Sequence, residues 1–371
     1  MRNKLKIFFF FISILILLTN CQKGKKHKIV NTATDNITII NIQNTDKTNC
    51  SYQKICTLFE NIDIIGSIQS FCFTDKKHFA VATKEGIVYI YDLKGNQIRT
   101  IGSIGEGPSQ FYEPAILKAY NNYLYIWDSK LLKMLIYTPE GKFIEERKDF
   151  KKAITNFDVC KDLICFYTTC GFQQPFIEIY DIRKKSILRS MEQPTEEDLM
   201  LGLNSCIGGI AIEGEHLLYT SFHEPAIHKI NIRQTNDPGI VMKVDDPDFK
   251  VETVKDAMQI INHEPNKIIN YLLNNSYVTG LFTTSNGIIL KTETGYFKTI
   301  KNGIDNSKRF TNLYFLNEQN ELKYIITEKH NFEADNKLYV TYDNHFYRLT
   351  FHEQIDDSPC YQLEQVTPLP I

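Results

Sequence analysis

The sequence repeats one short pattern six times: an apolar strand that ends just before a polar turn. The pattern is clearest at 88–91, 134–137, 177–180 and 227–230, and weaker copies end near Ile300 and Leu349. The copies are 43 to 50 residues apart, except for one interval of 70. Partner strands precede them at 78–83, 123–127, 163–168, 216–221, 287–293 and 337–342. A period of roughly 40 to 50 residues with about four strands per unit is typical of β-propeller blades.

The 70-residue interval holds a segment, 251–275, with a helical period. Val254, Met258 and Ile261 recur at helical spacing, and a second apolar face follows His263-Glu264-Pro265. This predicts one broken helix or two short ones between blades 4 and 5. A smaller capped helical turn is predicted at 192–202. We therefore expect an all-β fold, a single six-bladed β-propeller over residues 55–371 with a small helical insertion between blades 4 and 5. The segment 56–65 is expected to supply an outer strand to the last blade and so close the ring.

The first residues are typical of an export signal. Arg2, Lys4 and Lys6 precede an apolar run, 7–18, that is shorter than the roughly 20 residues of a membrane-spanning helix. Leu-Thr-Asn-Cys at 18–21 resembles a bacterial lipobox, in which the cysteine is diacylated. Residues 1–20 are thus predicted to be a lipoprotein signal peptide, and Cys21 with residues 22–54 a lipidated, flexible tether in the cell envelope. A plain secretory signal cut nearby is the alternative, and periplasmic or surface orientation stays open.

Residues 101–146 carry the most distinctive motifs. They comprise the glycine turn I-G-S-I-G-E-G-P-S-Q-F-Y, the strand Y-L-Y-I-W-D and the turn T-P-E-G-K-F-I. This stretch resembles the six-bladed β-propeller lipoproteins of Gram-negative gut anaerobes, which are related to NHL-repeat propellers. The resemblance implies an exported, lipid-anchored binding or scaffolding domain without agreed catalytic residues. Its motif positions, interpreted as structural, are Gly102, Gly105, Gly107, Pro108, Trp127 and Asp128.

Several motifs superficially suggest a cofactor or a metal. The glycines at 102, 105 and 107 follow G-x-x-G-x-G rather than a phosphate-binding order, and Pro108 argues against a helix that would present its amides. His223-Glu224-Pro225-Ala226-Ile227-His228 has one residue too many for a zinc protease motif, and Pro225 prevents the required helix. The acidic run 245–248 lacks the pattern of a calcium loop and favours a solvated turn. We predict no metal and no cofactor.

Charge and cysteine content further narrow the class of protein. A net charge of −2 provides no basic footprint for nucleic acid. Eight cysteines follow Cys21, and the nearest pairs are Cys50 with Cys56 and Cys165 with Cys170. Disulfides are possible in an exported protein, but several of these cysteines lie within apolar strands, where the residue commonly serves as a small buried hydrophobe.

Three segments depart most from a minimal blade: the loops 170–175 and 222–225 and the insertion 251–275. The two loops both join a second strand to a third, so they are expected on the same face of neighbouring blades. Phe172 and Phe222 offer stacking surface, and Gln173, Gln174, His223 and Glu224 offer hydrogen bonds. This mixture suits a carbohydrate or a peptide; ordinary loop variation is the alternative.

Three functions follow as hypotheses. The leading one is a non-enzymatic binding or scaffolding propeller for a glycan, a peptide or an envelope protein, anchored to the membrane by lipid. A propeller hydrolase or lyase with a metal in the central channel is the second, although the predicted inner strands 69–73, 116–120, 155–159 and 206–212 are mostly apolar and hold one acid, Asp158. A purely structural envelope component is the third.

Overall fold

The computed structural model describes residues 37–42, 45, 47–58, 68–150, 152–168, 175–192, 194–202, 208–234, 237–296, 298–300, 303–305, 309–329, 337–352 and 360–368. In chain order, the N-terminal strands are β1 (Ile37–Asn41), β2 (Lys47–Thr48) and β3 (Cys50–Leu58). Blade 1 comprises β4 (Ile68–Phe73), β5 (His78–Thr83), β6 (Ile87–Asp92) and β7 (Gln97–Ile101), and a connection with β8 (Ser103–Ile104) and β9 (Gln110–Phe111) follows. Blade 2 comprises β10 (Pro114–Tyr120), β11 (Tyr123–Asp128), β12 (Lys133–Tyr137) and β13 (Phe143–Arg147).

The remaining blades carry the helices. Blade 3 comprises β14 (Ile154–Cys160), β15 (Leu163–Thr168), β16 (Ile177–Asp181) and β17 (Ser186–Met191), and α1 (Glu196–Gly202) follows it. Blade 4 comprises β18 (Ile210–Glu213), β19 (His216–Thr220), β20 (Ala226–Asn231) and β21 (Ile240–Asp245), followed by α2 (Ala257–His263) and α3 (Pro265–Asn274). Blade 5 comprises β22 (Tyr277–Thr284), β23 (Gly287–Glu293), the hairpin β24 (Lys298–Ile300) and β25 (Gly303–Asp305), β26 (Phe310–Asn317) and β27 (Leu322–Lys329). Blade 6 comprises β28 (Lys337–Tyr342), β29 (His345–His352), β30 (Cys360–Pro368) and, as its outermost strand, β3.

The six blades form a closed ring, which confirms the predicted all-β, six-bladed fold. The innermost strands β4, β10, β14, β18, β22 and β28 contact one another in that order, and β28 contacts β4 again. In the described part of the chain, each of six apolar clusters fills the space between two consecutive blades. Every residue of β12, β15 and β16 is therefore buried, because a blade packs on a neighbour through both faces. This explains why 134–137 and 163–167 are continuous apolar runs rather than alternating ones, whereas β16 also buries Glu178 and Asp181.

The N-terminal strands form a belt around the rim of the last three blades. β1 pairs in parallel with β21 of blade 4, β2 pairs in parallel with β27 of blade 5, and β3 pairs antiparallel with β30 of blade 6. The belt corrects the expectation of a flexible tether over 21–54, because β1, β2 and the start of β3 lie within it. The β-branched residues of I-T-I-I-N supply the strand propensity that the polar composition of this segment obscured. Ring closure from the N-terminal side is confirmed, but by Cys50–Leu58 rather than by 56–65.

The sequence repeats were misassigned in the last two blades. The copy near Ile300 corresponds to the inserted hairpin β24–β25, and the third strand of blade 5 is β26. In blade 6, Lys337–Tyr342 is the innermost strand rather than the second one, because the fourth strand comes from the N-terminus. The inserted hairpin in blade 5 and the N-terminal strand β3 in blade 6 shift the sequence period, but the number of blades stays six.

The helical insertion lies where it was predicted, between blades 4 and 5. It consists of two helices that meet at Glu264-Pro265, since proline is accepted at the first position of a helix but not inside one. The first helix begins at Ala257, so Val251 and Val254 precede it, contrary to the predicted start at 251. Within the described residues, no helix has the length and apolarity to cross a membrane.

Candidate ligand-binding face

The two faces of the ring differ in how much chain they carry. On the turn face, the first and second strands of blades 2, 3 and 4 are joined by two residues each, at 121–122, 161–162 and 214–215. On the opposite face, which we term the loop face, lie the second-to-third strand loops and the blade-to-blade connections. The described residues of the segments 102–113, 192–209, 246–276 and 294–309 lie there. Long loops on a rigid scaffold are where binding residues concentrate.

The glycine motif is a compact blade-to-blade connection between β7 and β10. Gly102 has φ +71°, and a Cβ atom there would lie 2.3 Å from the Phe111 ring. At Gly105 a Cβ atom would lie 2.3 Å from Oε1 of Gln110, which accepts the N–H of Gly107 at 3.0 Å. The exposed Pro108 is part of this loop. The motif therefore folds onto its own side chains, and Gly102 is required by its positive φ and by its contact with the Phe111 ring.

Trp127 and Asp128 hold this connection against blade 2. Trp127 is fully buried and packs edge-on against Phe150. The buried carboxylate of Asp128 accepts the N–H of Tyr112 at 2.7 Å, and those of Lys130 and Leu131 at 3.0 Å. Both residues thus connect blade 2 to the segments that follow its neighbouring strands.

A buried cation completes the anchoring of the glycine loop. The Lys133 side chain is fully buried, and its Nζ donates to Glu146 Oε2 at 2.7 Å. The same Nζ donates to the carbonyl oxygens of Glu106 at 3.4 Å and Gly107 at 3.2 Å. Three acceptors around one ammonium group compensate for its loss of water. No motif in the sequence pointed to Lys133.

The helices α1, α2 and α3 pack together as a cap over blades 3 and 4. Their apolar residues join the cluster between these blades, among them Leu201, Ile261 and Ile268. Acidic residues of α1 secure the segment that leads into α2. Glu196 accepts the N–H of Ala257 at 2.6 Å, and Glu197 accepts that of Val254 at 3.1 Å. The cap is therefore held by apolar packing and by carboxylates directed at backbone amides.

Asp198 of α1 orients His223 on the loop face. Thr195 and Asp198 cap the helix reciprocally, with contacts of 3.1–3.2 Å. The Asp198 carboxylate also accepts the N–H of Phe222 at 3.1 Å and lies 2.8 Å from Nδ1 of His223. Since an ionised carboxylate only accepts, the imidazole donates through Nδ1 and directs Nε2 elsewhere.

The charges of this pair reinforce each other. Burial opposes ionisation of His223, but the hydrogen bond and the charge of Asp198 outweigh it, so the pKa of His223 is raised above its usual 6.5. For Asp198, burial is likewise outweighed by the hydrogen bonds and the charge of His223, and the pKa is lowered. The pair is thus stabilised in its ionised form. The T-E-E-D sequence of residues 195–198 predicted a helix cap. The contact between Asp198 and His223 depends on the tertiary structure, so the sequence did not indicate it.

Of the predicted ligand-binding residues, the structure describes three. Phe172, Gln173, Gln174 and the predicted lipidation site Cys21 lie outside the described residues. Phe222 is 1% exposed and packs among Tyr167 and Phe176, so its predicted role as a stacking surface is wrong. It faces the interior because the cap covers this loop. Glu224 is partly exposed and pairs with Lys243 at 2.5 Å.

The second histidine of the H-E-P-A-I-H segment lies away from the first. His228 belongs to β20 and stacks on Tyr219, with ring centres 4.8 Å apart. The Tyr219 hydroxyl donates to Glu192 at 2.6 Å. Burial lowers the pKa of His228, which favours a neutral ring between blades 3 and 4. No group of three or more His, Cys, Asp or Glu residues with metal-binding geometry is present among the residues that the structure describes.

Other residues considered for chemistry have structural partners. Asp158 accepts the N–H of Ile212 at 2.8 Å, which ties the inner strands of blades 3 and 4 together. Asp246 accepts the N–H of Asp248 at 2.8 Å and a hydrogen bond from the Tyr314 hydroxyl. The described cysteines Cys50, Cys56, Cys72, Cys160 and Cys165 are free thiols, so Cys50 and Cys56 form no disulfide.

A cleft of about 480 Å³ opens on the turn face, where β10, β14 and β18 end. Cys160 Sγ lies there, 3.9 Å from the Tyr120 hydroxyl and 3.7 Å from the Gly214 carbonyl oxygen. Lys161 and Glu215 form a loose pair at 3.7 Å on its edge. The cleft lies opposite the loops singled out by sequence analysis.

The ring and its loop elaboration define a six-bladed β-propeller with a helical cap. Residues 25–236 match the DUF5128 family, described as a 6-bladed beta-propeller, and the chain belongs to this family.

Two solved structures share the fold. A Bacteroides fragilis protein classed as exported superposes with a TM-score of 0.62 at 12% identity, covering 90% of this chain and 100% of the other. A member of the DUF4221 family from Bacteroides vulgatus gives a TM-score of 0.62 at 9% identity, covering 88% and 100%. At these identities the likeness concerns the fold alone. No curated protein matches the sequence.

Proposed function

We propose that this protein is an exported, lipid-anchored propeller that binds a glycan or a peptide on its loop face, beside the helical cap. The observation that carries the proposal is the pairing of His223 with Asp198 among the longest loops of the ring. A buried carboxylate that fixes an imidazole prepares one polar group for a defined ligand position. The partly exposed Glu224 and Lys243 add an acceptor and a donor nearby.

The chemistry favours a ligand rich in hydroxyl or amide groups. His223, Glu224 and Lys243 provide hydrogen bonds, and their opposite charges leave no excess that would select a strongly charged ligand. Phe172, Gln173 and Gln174 belong to the corresponding loop of the neighbouring blade and remain proposed contributors. The predicted lipobox at Cys21 and the structural likeness to a Bacteroides protein described as exported support a location in the envelope.

The test is a screen of the full-length protein on glycan and peptide arrays, followed by affinity measurements on the best ligand. His223→Asn keeps a donor for Asp198 but removes Nε2, and we expect it to weaken binding at least tenfold, about 1.4 kcal/mol. His263→Asn, at the exposed end of α2, is the matched control and should bind normally. Full affinity in a doubly substituted His223→Asn, Glu224→Gln protein would place the site elsewhere.

A further inference from the structure

The belt determines where the chain leaves the propeller. β21 follows the turn 232–239 and leads into the helical cap, so it runs from the turn face to the loop face. Because β1 pairs with β21 in parallel, Ile37 lies at the turn-face end of the blade 4 rim, opposite Val241. Only residues 22–36 separate it from Cys21, a span of at most about 55 Å when fully extended. A chain anchored at Cys21 is therefore held by the turn-face edge of blade 4.

Aliphatic side chains are exposed around this exit point. Ile37 and Ile39 are 59% and 57% exposed, and Ile240 at the start of β21 is also exposed. Leu188 projects from the outermost strand of the neighbouring blade 3. These side chains would be covered if the rim rested against an apolar layer.

Cations project from the same side of blades 3 and 4. They belong to the turns 182–185 and 232–239 and are Arg183, Lys184, Lys185 and Arg233. The Arg183 and Lys184 side chains are 82% and 70% exposed. Their carboxylate partners are more buried: Asp162 lies 3.5 Å from Arg183, and Asp181 lies 3.6 Å from Lys184. The outer surface of these turns is therefore predominantly positive.

The turns of the two blades form one continuous surface. Arg233 of blade 4 reaches Asp162 of blade 3 at 3.3 Å, and Arg189 of blade 3 donates to the Gln234 carbonyl of blade 4 at 3.2 Å. The remaining acid of these turns, Asp237, accepts the backbone N–H of Asn231. Its charge is thus directed at the turn itself rather than at the outer surface.

We propose that this surface rests on a bilayer of acidic phospholipids, with the loop face directed away from it. We call it the basic-aliphatic patch and define it by Ile37, Ile39, Leu188, Arg183, Lys184 and Lys185. Basic side chains are attracted to anionic head groups, and aliphatic side chains enter the interface. The proposal rests on the lipid anchor of the proposed function, which makes the contact intramolecular and so raises its effective concentration.

Photo-crosslinking of the lipid-anchored protein tests this orientation. A benzophenone amino acid replaces one residue at a time: Ile39 or Leu188 in the patch, Ile98 in blade 1, or Lys267 on the cap. Ile98 is the matched control, because it is exposed to the same degree as Leu188 and both lie at the strand bulge of their blades. In vesicles containing phosphatidylglycerol, we expect several-fold more crosslinking to lipid from positions 39 and 188 than from 98 and 267. Equal crosslinking from all four overturns the proposal.

A charge reversal provides the second arm. Lys184→Glu with Lys185→Glu should reduce crosslinking from position 188 several-fold, and so should vesicles of phosphatidylcholine alone. Lys94→Glu with Lys142→Glu changes the same turn in blades 1 and 2 and should have no effect. An unchanged yield in the Lys184, Lys185 variant overturns the role of charge.

Palmitate labelling of Cys21 separates the two proposals. Label at Cys21 with equal crosslinking at all positions overturns the patch and leaves the anchor. Crosslinking from 188 without label overturns the anchor and leaves the patch. Neither label nor crosslinking overturns both.

Discussion

The guanidinium carbon of Arg348 lies 3.3 Å from the ring centre of Tyr52. This stacked cation joins β3, the first strand of blade 6 to be synthesised, to the rest of the blade. The Tyr52 hydroxyl donates to Glu328 of blade 5. Arg348 contacts Glu328 at 3.2 Å and Glu364 at 2.6 Å. Two carboxylates and one guanidinium are thus buried together where the ring closes.

Ring closure should therefore depend strongly on Tyr52. Tyr52→Ala removes the stacked ring and one donor to the buried Glu328, and we expect a loss of about 3 kcal/mol in the free energy of unfolding. Denaturant unfolding measures this loss. Tyr123→Ala, which removes an exposed tyrosine from blade 2, should cost less than about 1 kcal/mol. Equal losses in the two variants would mean that the network does not secure the closure.

Lys133 and Lys148 allow a comparison of one cation in two environments. Both pair with Glu146 at 2.7 Å, but Lys133 is fully buried and Lys148 is largely exposed. Lys133→Met leaves Glu146 and two loop carbonyls without their buried donor, and we expect a loss of about 3 kcal/mol. Lys148→Met should cost at most about 1 kcal/mol, as for other exposed pairs. Thermal unfolding of the two proteins would refute this ranking if Lys148→Met proved the more harmful.

The glycine loop predicts a difference between two glycines of similar backbone conformation. Gly102 and Gly214 have φ of +71° and +60°, but a Cβ atom meets Phe111 at the first and nothing within 4 Å at the second. Gly214→Ala should cost about 1 kcal/mol, the strain of a left-handed backbone alone. Gly102→Ala adds the clash and should cost at least about 2 kcal/mol. Equal melting temperatures would show that the Phe111 ring moves aside freely.

The Asp198–His223 pair makes stability depend on pH in a defined direction. The folded pKa of His223 is raised, so its contribution is complete below the unfolded pKa near 6.5 and is lost as pH rises through the folded pKa. The folded pKa of Asp198 is lowered, so its contribution is lost only as pH falls through that value, below about 3.8. The free energy of unfolding of the wild type and of His223→Gln, measured between pH 5 and 9, tests this dependence. The stability difference should shrink as pH rises, and a difference independent of pH would contradict the ionised pair.

Local patterns predicted the blade number because each of blades 1 to 4 is a contiguous run of strands with its own turns. The same patterns located α1, α2 and α3 through Thr195 and the break at Pro265. They failed where a segment depends on a distant partner. Strand β1 lies in a segment of polar composition and pairs with the distant strand β21, and β3 belongs to a blade whose other strands lie at the opposite end of the sequence.

The candidate site shows the same division. His223 and Glu224 were identified as polar loop residues, and both are on the loop face. The burial of Phe222 and the contact of His223 with Asp198 follow from the cap, which folds over the loop from two other connections. Neither the spacing of residues nor their types within 222–225 contains this information.

The belt also imposes an order in time. Cys50–Leu58 is made early, but its partner Cys360–Pro368 lies more than three hundred residues later in the chain. Blades 1, 2 and 3 each consist of contiguous sequence and can assemble before the rest of the chain is available. The belt strands must wait for blades 4, 5 and 6, because long-range pairings form slowly. During that wait the apolar edge of β1 has no partner strand, so this is the stage at which the nascent protein most needs protection from aggregation.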